Sequence, residues 1–191
     1  YLRSGDEAPP TLADMMTAQD IEVIKNVATD IQYISPVNSR SLAAKYERKS
    51  KRVYAYGVWP EYKNIRNIEL EKGRFLSEAD EEGGRRVVVI DSKLAEDLFG
   101  SEEALKQQID IFGTSMTVIG ITKRNDSLLF GGPDTPSTVY MPFSTFSSLD
   151  NYPYVHYVEA SAVSKEKTES AMIQAKRILD KRHHTENRYA T

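Results

Sequence analysis

Histidine is scarce in this 191-residue chain. His156, His183 and His184 are all it has, and there is no cysteine. Zinc-type chemistry needs several imidazole or thiolate ligands at fixed spacing. His183 and His184 are adjacent, so on a helix their side chains diverge by about 100° and do not converge on one ion. All three read as surface histidines. A Ser–His–acid triad would have to draw on one of them, and no G-x-S-x-G elbow occurs. A small hydrolase pairing His156 with a nearby Ser or Asp is the enzymatic reading that remains. A phosphate-cradling loop needs clustered glycines between a strand and a helix start, with a lysine for the P-loop type. Gly131-Gly132 has neither and reads as a turn. Asp80 and Glu81 stand near Arg85 and Arg86 and read as solvent-facing loop charges, not as a dyad with two split pKa values. Asn125-Asp126-Ser127 matches a glycosylation triplet of a kind that arises by chance. Trp59, the single tryptophan, reads as a packing residue rather than a ligand-stacking ring. No catalytic, cofactor-binding or metal-binding residue is assigned.

The composition narrows the classes further. The net charge is −3, with both signs interspersed, which argues against nucleic acid as a partner. Without cysteine there are no disulfides, thiolate metal sites or thiol nucleophiles. The longest aliphatic run, Val87-Val88-Val89-Ile90, falls far short of the roughly 20 residues that span a bilayer. The chain opens Tyr1-Leu2-Arg3, without the pattern of a signal peptide, and reads as a segment of something longer.

Several elements are predicted from pattern. Thr17 and Asp20 form a capping-box variant ahead of Ile21, Ile24 and Val27, which share a helical face over about 18–28. A short strand around Ile31 and Tyr33 is expected to stop at Pro36. Residues 40–59 read as a hairpin whose tip carries Arg48, Lys49, Lys51 and Arg52, cations expected to stay solvated, with a partner or lipid-headgroup contact as the alternative. Ser77 to Asp80 reads as a short capped segment. Val87 to Ile90 is β-branched and continuous, hence a central strand. Asp91 caps a helix with Leu94, Ala95 and Leu98 on one face and Gly100 after its end. A second hairpin turns at Phe112 to Ser115, and residues 124–137 form a loop. Val139 to Pro142 is a strand, Ser144 caps a small helix, and residues 154–162 are β-rich. Ser164 caps the longest helix, with Ala171, Met172, Ala175, Ile178 and Leu179 as its buried stripe and Lys181 to His184 at its negative end. The pattern is α+β.

The ordered succession Gly57-Val58-Trp59-Pro60-Glu61-Tyr62, Gly73-Arg74-Phe75, Val87 to Ile90, Leu94-Ala95 with Leu98-Phe99-Gly100, and Thr117-Val118-Ile119-Gly120-Ile121 is similar to the extracytoplasmic core domain of MacB-like (FtsX-like) ABC transporter permeases. Val139-Tyr140-Met141-Pro142 and the close of the last helix agree with it. One departure is that Ala104-Leu105-Lys106-Gln107-Gln108 lacks the glycine the family usually has before the second hairpin, which bears on the local turn.

The resemblance implies a porter-like part built from 1–63 and 143–191, with an inserted β-rich (Sabre-like) part from 64–142. It implies transmembrane helices on either side of this segment, a cytoplasmic ATPase acting through them, a second permease copy and a periplasmic adaptor. The place is the extracytoplasmic face of the bacterial inner membrane. The function it implies is noncatalytic: passing ATP-driven conformational change to substrate export, of the efflux type. The alternatives are a lipoprotein-release permease domain and a stand-alone extracytoplasmic ligand-binding module, which predicts a closed apolar pocket between its parts. One subunit type of the lipoprotein-releasing branch carries a long arm at the second hairpin, where this chain has a tight turn.

Overall fold

Short side chains that reach back along the backbone begin the first helix. The Asp20 carboxylate accepts the Thr17 N–H at 2.8 Å and the Thr17 hydroxyl at 2.9 Å, which starts α1 (Ala18–Val27) where the capping pattern places it. The computed structural model describes residues 15–100, 103–123 and 136–183. The glycosylation triplet, Gly131-Gly132 and His184 lie outside them.

After α1 come β1 (Ile31–Tyr46) and β2 (Lys49–Val58), paired antiparallel from Val37↔Val58 to Tyr46↔Lys49. β1 does not stop at Pro36. At that residue β8 (Tyr157–Ala162) lies along one flank, and β2 joins on the other only from Val37. A proline is tolerated where one flank of a strand is open. α2 (Tyr62–Ile65), β3 (Leu70–Gly73) and α3 (Glu78–Glu82) lead to β4 (Val87–Asp91). β4 lies between β6 (Thr114–Thr122) and β7 (Ser137–Pro142), so its β-branched run is central as predicted.

α4 (Ser92–Phe99) is capped by Asp91, which accepts the Leu94 N–H at 2.7 Å, and it ends at Gly100 with φ 65°. β5 (Gln108–Ile111) joins β6 through Phe112-Gly113, both at positive φ. α5 (Phe143–Asp150) follows β7 directly, with Pro142 at its N-cap. Ser144 therefore sits inside the helix rather than capping it. A short 3-10 turn after Ser164 precedes α6 (Thr168–His183).

The strands close on themselves. β1 pairs β2, β2 pairs β7, and then β4, β6 and β5 follow, and β5 returns to β1 at Lys45↔Asp110. β8 extends β1 and β3 extends β6 outside this ring. The inward face is filled by Val53, Ala55, Val88, Ile90, Val139 and Met141, with Leu94 and Leu98 of α4 and Phe146 of α5 against them. A second core lies under the helices, where Ile21 and Ile24 of α1 meet Trp59, Phe143 and Leu179. A third covers the outer face of β2, β7 and β4 with Tyr62, Phe75 and Leu76. On α6 the small residues Ala171 and Ala175 and the larger Ile178 and Leu179 face inward, but Met172 points outward and is 48% exposed.

The turn without a glycine keeps its form. Lys106 takes φ 69°, and its N–H reaches the Val118 carbonyl at 2.8 Å. A left-handed non-glycine residue costs about 1–2 kcal/mol, against about 0.4–1 kcal/mol that glycine loses in the unfolded chain. Lys106→Gly is therefore expected to stabilise the fold by about 0.5–1 kcal/mol. A thermal melt with an unchanged or lowered midpoint would contradict this.

Candidate functional site

A polar cluster surrounds Asp80 and Glu81. Ser77 and Asp80 repeat the geometry of Thr17 and Asp20: the Asp80 carboxylate accepts the Ser77 N–H at 2.9 Å and its hydroxyl at 2.7 Å. Arg74 adds a two-pronged contact at 2.5 and 3.1 Å, and Arg85 stands 3.6 Å away. The Asp80 side chain is 0% exposed. Burial pushes its carboxyl up, but Arg74 and Ser77 outweigh that and hold it at about 2.

Glu81, the next residue, turns to α5. Its carboxylate accepts the Ser144 N–H at 3.0 and 3.3 Å, and the Ser144 hydroxyl donates to the Glu81 carbonyl at 2.7 Å. The Thr145 hydroxyl donates to the Arg85 carbonyl at 3.0 Å. Burial drives the Glu81 carboxyl up to about 7, against the pull of donors from Ser144, Phe143 and Trp59. The two carboxylates are thus no pair of loop charges. They lie on a helix, one salt-bridged and one partly desolvated, with widely split pKa values. The Ser77–Asp80 spacing carried a signal for the first. Nothing local signalled the second.

Trp59 is a packing residue, buried between α1, α5 and α6, with the Lys25 ammonium 5.5 Å from its ring centre. Lys25 is itself bound to Glu61.

A second polar corner joins the two described ends. Asp20 is buried, with Arg182 Nε at 2.6 Å and His183 Nε2 at 3.1 Å. Burial raises the Asp20 carboxyl, yet Arg182 and Thr17, with His183, bring it below the ordinary range. His183 is no surface histidine, since its side chain is only 10% exposed. His156 is exposed, and its Nδ1 accepts the backbone N–H of Ser39 at 3.2 Å while its ring lies against Tyr152. That nitrogen is held by a backbone amide rather than by a serine hydroxyl.

The cations of the first hairpin divide. Lys49 donates to the Leu98 carbonyl at the end of α4, and Lys51 stands 3.4 Å from Asp97. Both hold the negative end of that helix, where cations are favoured. A cavity of about 550 Å³ opens at the seam between β1 and β5, lined by Lys45, Glu47, Gln108, Asp110 and Ser115 among others. It is polar and open, unlike the closed apolar pocket of a small-molecule binder. Among the described residues no group of three or more His, Asp or Glu is placed to hold a metal ion.

The model of the MacB-like periplasmic core domain matches residues 2–178. The chain belongs to this family. It is 27% identical over 193 residues to an uncharacterised ABC transporter permease, YknZ, of Bacillus subtilis, covering 99% of this chain and 48% of that protein. It is 25% identical to the macrolide export ATP-binding/permease protein MacB of Neisseria gonorrhoeae, covering 90% of this chain and 26% of the relative. The chain thus spans half the length of such relatives or less. The crystal structure of the extracellular domain of YknZ from Gram-positive bacteria superposes with a TM-score of 0.78 at 22% identity, over 91% of this chain and 87% of that one. The chain is a MacB-like periplasmic core domain, with the α+β fold of the solved neighbour. No helix among the described residues is long and apolar enough to cross a membrane.

Proposed function

We propose that this domain is noncatalytic and transmits ATP-driven conformational change to substrate export, in an efflux-type permease. The observation that carries this is the placement of the two described ends. Asp20 near the start of α1 holds Arg182 and His183 at the end of α6, and Thr17 bridges Tyr154. Both ends leave from one corner, which suits attachment to a pair of neighbouring membrane helices moved by a cytoplasmic ATPase. From that corner the Asn38 side chain of β1 donates to the Tyr154 carbonyl, and β1 runs on into the closed ring, so a displacement at the base is carried through a stiff body.

The porter-like part of 1–63 and 143–191 is supported by the helix-side core, whose members all come from those two segments. The inserted part, 64–142, shares the sheet with it through β2 and β7. One further feature supports efflux over lipoprotein release: the two-residue turn at Phe112-Gly113. The partners of this reading are the ATPase, a second permease copy and a periplasmic adaptor.

The test uses the whole permease with its ATPase. About ten Gly/Ser residues inserted ahead of Met15 and again after His183 form flexible coils that absorb displacement. Export is expected to fall at least tenfold while ATP hydrolysis continues. Undiminished export through both insertions would overturn the reading and favour a tethered binding module.

A further inference from the structure

β8 ends the ladder of strands. β1 lies on one flank, and no strand lies on the other among the described residues. Val163 fixes the backbone directions, since its N–H reaches inward to the Asp30 carbonyl at 2.9 Å. Hydrogen-bonding groups alternate along a strand, so Tyr157, Glu159 and Ser161 turn theirs to β1. Those of Val158, Ala160 and Ala162 turn outward, where no backbone partner meets them among the described residues. Native sheets guard such edges with charge, proline, bulges or cover. The other end strand, β3, is guarded: it is short, carries Glu71 and Lys72, and shifts register against β6 between Leu70 and Lys72. β8 reads Tyr157-Val158-Glu159-Ala160-Ser161-Ala162, without lysine, arginine or proline. Its one charge, Glu159, is already held by Arg66. The irregularity in its pairing adds a residue to β1, between Ile31 and Tyr33, and leaves β8 continuous.

We propose that β8 is a docking edge for a second copy of this chain, the two β8 strands pairing antiparallel about a two-fold axis at Ala160. The strand is complementary to itself about that residue. Reversed on its own copy, it sets Ala160 opposite Ala160 and Val158 opposite Ala162, so each outward N–H meets an outward carbonyl. At the ends it sets Tyr157 opposite Val163. Both are exposed apolar side chains, and both stand on the same face of the sheet. Each shields the other from water, once at either end of the pair.

The charges fit the same register. Glu159 falls opposite Ser161, whose buried hydroxyl has no hydrogen-bond partner among the described residues. The two Glu159 carboxylates then lie diagonally across the axis. Each brings its own Arg66, which is 56% exposed, so the junction is neutral. Ala160 is small and exposed, and nothing at the axis holds the strands apart. Such a contact is closed: it occupies this edge of both copies and leaves none for a third. An unrelated extended segment could use the outward backbone groups, but the symmetric placement of Tyr157 and Val163 about Ala160 matches only the strand itself. This pairing stands on that symmetry and is independent of what is exported.

The chain has no cysteine, so disulfides placed in it read the register. The test uses the whole permease in membranes, with any cysteine elsewhere replaced. Tyr157→Cys in one tagged copy and Val163→Cys in another are expected to join. They face each other as a non-hydrogen-bonded pair, with Cα atoms about 4.5 Å apart and within disulfide reach. Either variant alone should give about tenfold less dimer, since each cysteine then lies roughly 20 Å along the strand from its own copy. Ala160→Cys alone should link to itself, at about 5.5 Å across the axis, and serves if the mixed pair does not fold. Ala160→Lys sets two ammonium groups side by side at the axis and should cut the mixed yield about tenfold. Export is not the readout, so this pairing and the efflux reading stand or fall separately. Failure of both the mixed and the Ala160→Cys disulfides, or a mixed yield no greater than that of either variant alone, overturns the proposal and leaves the edge to another kind of chain.

Discussion

Gly57→Ala is expected to destabilise the domain by about 3 kcal/mol, the upper part of the range for overpacking a filled core. Gly57 lies on the inward face of β2 and is fully enclosed. A Cβ there would sit 2.3 Å from the Cβ of Phe146 and 2.6 Å from its Cγ. These atoms are the rigid root of the ring, so no rotation of a flexible end relieves the clash. Phe146 is itself 0% exposed and meets Phe112 edge-on with ring centres 5.4 Å apart, so it is blocked from behind. The remaining response is to push α5 away from the ring, which disturbs the core on both sides of the helix. In urea the midpoint should fall strongly with little change in slope. The double variant Gly57→Ala with Phe146→Leu should cost less than the sum of the two single changes, because the second removes the obstacle to the first. An unchanged midpoint for Gly57→Ala, or strict additivity in the double variant, would show that the strand and α5 do not meet as described.

The difference between what the sequence showed and what it hid follows the distance over which each feature is made. Thr17 with Asp20, Asp91 with Leu94 and the Phe112-Gly113 turn are settled within four residues, and local chemistry alone predicts them. The continuous strand Val87 to Ile90 is read correctly as central because burial on both faces leaves no room for polar alternation. Glu81 and Ser144 are 63 residues apart, and Asp20 and Arg182 are 162 apart. Contacts of that kind leave no spacing to read. Glu81 looks like any acidic loop residue until α5 is laid across it, and His183 looks like any C-terminal cation until Asp20 is found beneath it. The closure of the strand ring rests on one pair, Lys45 with Asp110, which no periodicity announces. Met172 failed for a related reason. α6 offers both small and large apolar residues, and the side on which Ala171 and Ala175 lie is the one that admits close approach to its neighbours.

Asp80→Asn should cost about 2–4 kcal/mol at neutral pH, since it removes the charge from a buried, salt-bridged carboxylate. The change is nearly isosteric, so the loss is not one of volume. The amide oxygen can still accept one donor from Ser77, but the two-pronged contact with Arg74 becomes repulsive between donors on one side. Arg74 and Arg85 are about half exposed and can return to water, which limits the cost and sets it below that of stranding a buried cation. The pH dependence supplies the sharper test. The folded Asp80 carboxyl is held at about 2, below its ordinary 3.8. Its contribution is therefore fully present above about pH 4 and is lost as pH falls through 2. Stability measured from pH 7 down to pH 2 should decline in the native chain by about 2 kcal/mol more than in Asp80→Asn. Parallel curves would rule out the salt-bridged state of Asp80.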